Sequence, residues 1–351
     1  MNDVKSVLVT GNLGYIGTVL TSMLITRGYN VTGLDAGYFI GKHLVPQKQD
    51  HFQQFIRDVR DVHQSELRGY DAVIHLAGLS NDPLGDLDPR LTDEINHKAS
   101  VRLGVLAKAA GVKRFVFSSS CSAYGVSGDA PVTEDAGFNP VSAYAKSKID
   151  AEKGLAALSS ESFAPIFLRN ATVYGLSPRQ RFDLVVNNLS GCAHTTGSIK
   201  LLSDGTAWRP IIHVEDVSLA FINALEAPFD VVNNQAFNIG LDSENYTVKQ
   251  IAEAVHGSYA NAQIEILGKS NPDARSYKVD FGKAKHVLGF SGVWNLEKGC
   301  DQLWQTFHNI HLTEELFNDE YFVTLKRMKN LLDSGAIAAD LRWTKQPWSM
   351  V

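Results

Sequence analysis

The chain has 351 residues, enough for one large α/β domain with a smaller lobe or for two domains, with a sizeable core in either case. Charged residues make up 20% and the formal net charge is -5, a balance that excludes a basic nucleic-acid-binding surface as the organising feature. No apolar run approaches the ~20 residues of a membrane span, so no membrane partner is expected.

The run Lys5-Ser-Val-Leu-Val-Thr10 already reads as a core strand, so no cleavable leader is expected ahead of it. Cys121, Cys192 and Cys300 are few and scattered, which predicts a reduced, cytoplasmic protein; no metal is expected. The first strand runs into Gly11-Asn-Leu-Gly14-Tyr-Ile-Gly17 and then a helical pattern over 15–27. Three glycines between a strand and a helix suit a tight turn that lets the backbone approach a pyrophosphate, held by the amides and positive end of the helix. Gly11, Asn12, Leu13, Gly14, Tyr15, Ile16 and Gly17 are therefore the first candidate cofactor residues, although the spacing is G-x-x-G-x-x-G and not the more familiar G-x-G-x-x-G. A second strand, Asn30-Val-Thr-Gly-Leu-Asp35, ends in an acid at the distance expected of a ribose-binding carboxylate. Asp35 favours NAD over NADP, because it repels a 2′-phosphate.

Further strand-like runs at 52–56, 72–77 and 114–119 alternate with helical stretches at 61–67 and 89–110. This alternation predicts an α/β fold of Rossmann type, a doubly wound parallel sheet with ligands at the carboxyl ends of its strands. Asp58 and Val59 follow one strand end, where an adenine amino group can be read. Leu76, Ala77 and Gly78 follow another and let a cofactor lie against the backbone, while His75 is expected to pack within the sheet.

After a turn at Pro140 the composition becomes helical and places Tyr144 and Lys148 one above the other on one face. A free tyrosine titrates near ~10. A lysine ammonium within a few ångströms favours the phenolate, as does a cationic nicotinamide ring. The pair is the candidate base, able to take a proton from a substrate hydroxyl.

With Thr10-Gly11-x-x-Gly14-x-x-Gly17, His75-Leu-Ala-Gly78, Ser118-Ser-Ser120 and Tyr144-x-x-x-Lys148 present in that order, the sequence resembles the extended short-chain dehydrogenase/reductase family over about residues 5–305, and within it the NAD-dependent nucleotide-sugar epimerases and dehydratases. The resemblance implies that Tyr144 is the base, that Lys148 lowers its pKa and binds the nicotinamide ribose, and that Ser120 shares a hydrogen bond with the reacting hydroxyl. Water-eliminating members carry an Asp-Glu pair where this chain has Cys121 and Ser122. Decarboxylating members keep a glutamate at the second place. Epimerase-reductases with an acid-base cysteine have it at the position of Ser122, so Cys121, pointing the other way, is expected to be structural.

A sixth strand at 164–170 leads to Thr172, where many members have an asparagine on the sugar diphosphate. A helix over 182–192 brings Asn187 or Asn188 to the phosphates by the same resemblance, and Arg209 and Arg275 match two diphosphate arginines. Asp216 is expected to cap or charge-stabilise the helix running to Glu226. The division expected is a cofactor domain at 1–172, a smaller interleaved C-terminal substrate-binding lobe at 173–310 and a helical extension at 311–351. In the extension, Leu316, Phe317, Phe322, Leu325, Met328, Leu331 and Leu332 recur at helical spacing and predict an amphipathic helix packed on the body or on another subunit. The reading is a homodimeric NAD-dependent epimerase of a nucleotide-diphosphate sugar. A dehydratase or keto-sugar reductase on the same site, and a non-catalytic NAD-binding regulator, remain as alternatives.

Overall fold

The computed structural model describes residues 4–47, 51–80, 82–86, 88–128, 130–268 and 275–345. The strands in chain order are β1 (Ser6–Thr10), β2 (Asn30–Asp35), β3 (Gln53–Ile56), β4 (Ala72–His75), β5 (Arg114–Ser120), β6 (Ala164–Asn170), β7 (Thr172–Tyr174), β8 (Ser198–Leu201), β9 (Trp208–His213), β10 (Gln235–Ile239), β11 (Asn245–Thr247) and β12 (Gln263–Ile266). Seven of them form one sheet in the order β10-β6-β5-β4-β1-β2-β3, every neighbouring pair parallel. Parallel strands sandwiched between helices read as continuous apolar runs. β6 is buried along its whole length, and Val7, Leu8 and Val9 of β1 are equally inaccessible.

Chain order reverses where β1 lies between β2 and β4, with Thr10 beside His75 in register. This switch point is where an open α/β sheet leaves a crevice beyond its strand ends. The helix Tyr15–Thr26 follows β1, and the helix Ala143–Ala156 packs beneath β5 and β6 against Ala99–Ala110. The two helices approach through reciprocal glycines. A Cβ on Gly104 would lie 2.4 Å from Leu155, and one on Gly154 would lie 2.5 Å from Val101. This close packing fixes the height at which the first turn of Ala143–Ala156 meets the crevice.

Past β7 the chain builds a second layer from β11-β9-β7 and the β12-β8 pair, and returns to the large sheet through β10. Several expected elements shift. Residues 61–67 form two short 3₁₀ turns, Val59–Asp61 and Gln64–Leu67, in place of one helix. The helix expected over 182–192 spans Val185–Thr196. His213, not Asp216, caps the helix running to Glu226, whereas Asp216 stands in its first turn, where an acid offsets the helix dipole; its carboxylate accepts from the amides of Val293 and Trp294 at 3.0 Å each, tying down the approach to the helix Leu296–Asn309. The tail forms Glu314–Phe317 and Thr324–Asp333, with Phe317 and Phe322 against Phe182, and Met328 and Leu331 against Leu79 and Ile95. Among the described residues no helix is long and apolar enough to cross a membrane.

Candidate functional site

A cavity of about 780 Å³ opens beyond the carboxyl ends of the strands. Its floor is the glycine turn. Gly11 has φ +75°, and a Cβ there would meet the Ala77 amide nitrogen at 2.7 Å. A Cβ on Gly17 would sit 2.2 Å from the Gly11 carbonyl oxygen. Side chains at these two places would therefore close the cradle that a pyrophosphate needs. Gly11, Gly14, Tyr15, Ile16 and Gly17 line the cavity, whereas Asn12 turns away to pair with Gln54 at 2.6 Å. Leu13 acts through its backbone: its amide donates to Asp35 at 3.2 Å, and the Gly37 amide holds the other carboxylate oxygen at 2.8 Å. Burial raises the Asp35 pKa against those bonds. Leu76, Ala77, Gly78 and Val59 also face the cavity. Asp58 lines it too, but its carboxylate is forked by Arg60 at 2.6 to 3.1 Å and so is engaged by the wall.

His75 bridges Thr10 at 2.6 Å and Ser100 at 2.8 Å inside the sheet, where burial lowers its pKa to about 3 and keeps the ring neutral.

Tyr144, Lys148 and Ser120 come together at the far end of the cavity. Ser142 caps the helix at the Ala145 amide, 3.1 Å away, and so places Tyr144 in the first turn. Burial, with Asp82 adding to it, pushes the Tyr144 phenol up to about 12, against a hydrogen bond with Ser120 and the charges of Arg181 and Arg275. The Lys148 ammonium lies 5.7 Å from the centre of the Tyr144 ring. The Lys148 ammonium donates to the Ser118 carbonyl at 2.7 Å and lies 4.8 Å over the Phe117 ring, and the same burial lowers its own pKa to about 8. Desolvation acts on both members of the pair and opposes charge on each.

Thr172, Asn188, Arg209 and Arg275 line the cavity. Arg209 donates to the Arg275 carbonyl and Arg275 pairs with Asp82 at 2.7 Å, so these cations are linked to each other and, through Asp82, to Tyr144. Asn187 is corrected: it is wholly buried, its oxygen taken by the Gly175 amide at 2.9 Å and its nitrogen by Tyr15 and the Arg181 carbonyl. Ser122 is corrected as well, being buried off the cavity wall with no hydrogen-bond partner for its hydroxyl. Cys121 donates to the Arg169 carbonyl at 3.0 Å within the core, and burial pushes its thiol up.

Sequence reasoning passed over Arg179 and Arg181, two arginines two apart in Ser177-Pro-Arg-Gln-Arg181, both on the cavity wall. The Arg181 fork pairs with Asp183 at 2.9 Å. The tail, expected to pack on the body or on another subunit, closes one side of the cavity through Val323, Thr324, Leu325 and Met328.

The sequence profile of the NAD dependent epimerase/dehydratase family matches residues 7–240. A UDP-glucose 4-epimerase of Lactobacillus helveticus is 30% identical over 81% of this chain and 91% of that protein, and one of Mycolicibacterium smegmatis is 29% identical over 86% and 98%. Among solved structures, MoeE5 in complex with UDP-glucose and NAD is similar at a TM-score of 0.76 and 27% identity. It covers 87% of this chain and 99% of its own. The UDP-glucose 4-epimerase of Thermotoga maritima with UDP-glucose has the same TM-score and coverage at 25% identity.

Proposed function

The chain belongs to the NAD dependent epimerase/dehydratase family, and from that membership and its site we infer that it is an NAD-dependent epimerase of a nucleotide-diphosphate sugar. NAD, when bound, accepts a hydride from the sugar carbon and returns it. The glycine turn at Gly11, Gly14 and Gly17 admits the pyrophosphate, Asp35 takes the ribose hydroxyls, and Lys148 reaches the nicotinamide ribose. Tyr144, as phenolate, removes the proton of the sugar hydroxyl while Ser120 holds the same oxygen, and it gives the proton back when the keto sugar is reduced on its other face. Burial raises the phenol's pKa to about 12, so the base depends on positive charge in the cavity, which Lys148 supplies from 5.7 Å and which bound NAD would add to. Arg209 and Arg275 hold the sugar diphosphate through both half-reactions, which keeps the orientation of the nucleotide while the sugar turns. Thr172, the first residue of β7, lines the cavity where the sugar diphosphate would lie.

One observation carries the choice of epimerase over dehydratase. The two positions after Ser120 are a buried thiol bonded to the Arg169 carbonyl and a buried serine off the wall, so neither offers the acid and base that elimination needs. Glu134, another candidate acid, is committed to the Asn238 amide at 2.7 Å. Incubation with a panel of nucleotide sugars tests the reading. An isobaric product with no accumulated NADH is expected; a product lighter by one water would make the enzyme a dehydratase, with Asp82 beside Tyr144 as its acid. Calorimetry with NAD and NADP tests the part given to Asp35, and Asp35→Asn is expected to narrow a preference for NAD. We place the enzyme in the cytoplasm as a homodimer joined through residues 89–110 and 141–158, a reading supported by its free cysteines and by the exposed Val105 and Val141. Residues 1–172 would carry the cofactor, 173–310 the sugar nucleotide, and the tail would pack on the body.

A further inference from the structure

Arg179 is a buried cation without a counter-ion at hand. It is 2% exposed, and its Nε has no hydrogen-bond partner. Its remaining bonds are long, to the Gln180 carbonyl at 3.2 Å and the Thr324 hydroxyl at 3.3 Å. No carboxylate among the described residues lies within ion-pair distance. Burial lowers its pKa to about 9 even with Asp35 and Asp183 in its surroundings. Such a group is retained against its desolvation when something else completes it.

Its place in the fold says what that is. Residues 175–181 lie on the first turn of Tyr15–Thr26: Ser177 donates to the Tyr15 carbonyl at 2.8 Å and meets Thr18 at 2.9 Å, and Tyr15 donates to the Gly175 carbonyl at 2.7 Å. The loop after β2 covers the guanidinium, with the Phe39 ring 3.7 Å beneath it and the Leu44 amide bonded to the Pro178 carbonyl at 2.8 Å. The tail closes the third side through Thr324. That tail is anchored beside Asp35 and Asp58, where Trp343 donates to the Ala36 carbonyl at 2.6 Å and Arg60 to the Asp340 carbonyl at 2.8 Å.

We propose that Arg179, held between the loop after β2 and the C-terminal tail, clamps the pyrophosphate of the bound dinucleotide against the glycine turn, which makes the tail part of the cofactor site. Arg179 lines the same cavity as Gly11 and Gly14, so a diphosphate there would receive backbone amides from the glycine turn and the guanidinium from the wall. The proposal rests on a dinucleotide in this cavity and is independent of which sugar reaction follows.

Calorimetry on the full chain tests it with ADP-ribose, adenosine and UDP as probes. Arg179→Met is expected to weaken ADP-ribose about ten- to hundredfold, the loss typical of a charge-assisted hydrogen bond, and to leave adenosine and UDP within about twofold. Ligand-free Arg179→Met should unfold at a urea concentration no lower than the parent, because an uncompensated cation has been removed. Should that variant fail to fold, Arg179→Gln removes the charge while keeping a polar amide on the stem, and the same pattern is expected. Equal weakening of ADP-ribose and adenosine, no weakening of either, or a loss confined to UDP would each overturn the assignment. Because no turnover is measured, failure of the epimerase reading would not produce any of these results.

Discussion

Arg169 and Arg179 are both buried, and the chain treats them in opposite ways. Arg169 spends its whole fork. Its Nε and Nη2 reach Glu152 at 3.1 and 2.8 Å, Nη1 reaches the Tyr124 hydroxyl and the Glu134 carbonyl at 3.0 Å, and Phe138 lies 4.7 Å across its face. Those partners push its pKa up despite burial. Arg179 has two long bonds and an empty Nε, and its pKa falls. Lys148, a turn before Glu152 on the same helix, resembles Arg179: it has a carbonyl partner and no carboxylate within ion-pair distance among the described residues. A cation completed by the protein belongs to the fold. One left incomplete at a cavity belongs to what the cavity binds.

The comparison breaks first at Tyr144. If the cavity side of Ala143–Ala156 serves chemistry and its inner side serves the fold, Tyr144→Phe should lower turnover about 10²- to 10⁴-fold, the range for losing a positioned acid-base group. The urea midpoint and NAD affinity should stay near those of the parent. A variant that kept most of its rate would remove Tyr144 as the base. Two turns along, Glu152→Ala should do the reverse and cost about 3–5 kcal/mol of unfolding free energy, because it strands the Arg169 charge in the core. Chemical denaturation reads this directly, and a loss below about 1 kcal/mol would mean that Arg169 does not depend on its partner.

Lys148 sharpens the contrast through pH. Its pKa is about 8 in the fold and 10.5 for the free side chain, so between those pH values the unfolded chain binds more protons and stability rises with pH. Below pH 8 both states are protonated and the penalty is constant. Lys148→Met should therefore stabilise the ligand-free protein at pH 7, by up to about 3 kcal/mol, and the gain should vanish as pH approaches 10.5. A variant less stable than the parent at pH 7 would place Lys148 with Arg169 among the structural cations. NAD affinity should fall in the same protein.

How far the sequence carried this picture depends on where each constraint lives. The glycine turn, the acid ending β2 and the Tyr144/Lys148 spacing were legible because each is imposed by backbone geometry within a few residues. The sheet was legible because buried parallel strands need unbroken apolar runs. Asn187 was mistaken for a cavity residue because neighbouring positions on a helix point about 100° apart, so the choice between it and Asn188 turns on helix phase. Arg179 was passed over because it becomes a site residue only where the first turn of Tyr15–Thr26, the loop after β2 and the tail converge, and no spacing within its own segment records that meeting. The burial that raises the Tyr144 phenol and lowers the Lys148 ammonium was not legible for a related reason: proximity along a helix face is visible in sequence, whereas shared burial is not.

The smallest effect tests where the two regions divide. Ser120 and Cys121 are adjacent, yet Ser120 faces the cavity and hydrogen-bonds Tyr144, while the Cys121 thiol turns inward to the carbonyl of Arg169. Cys121 thus belongs to the completed side although it stands where other members of the family place a proton-transferring acid. Burial pushes the thiol's pKa up, so the side chain stays protonated and carries no proton during turnover at any pH near neutral. Cys121→Ala should leave kcat within about twofold, since a group with no role in proton transfer loses nothing of that kind. It removes a buried sulfur and a weak hydrogen bond, and should lower unfolding free energy by about 1 kcal/mol. Ser120→Ala should show the opposite pairing, a lowered rate on an unchanged urea midpoint. If instead Cys121→Ala reduced kcat tenfold or more with its stability intact, the thiol would be reaching the sugar, and the boundary between fold and chemistry would lie beyond residue 121.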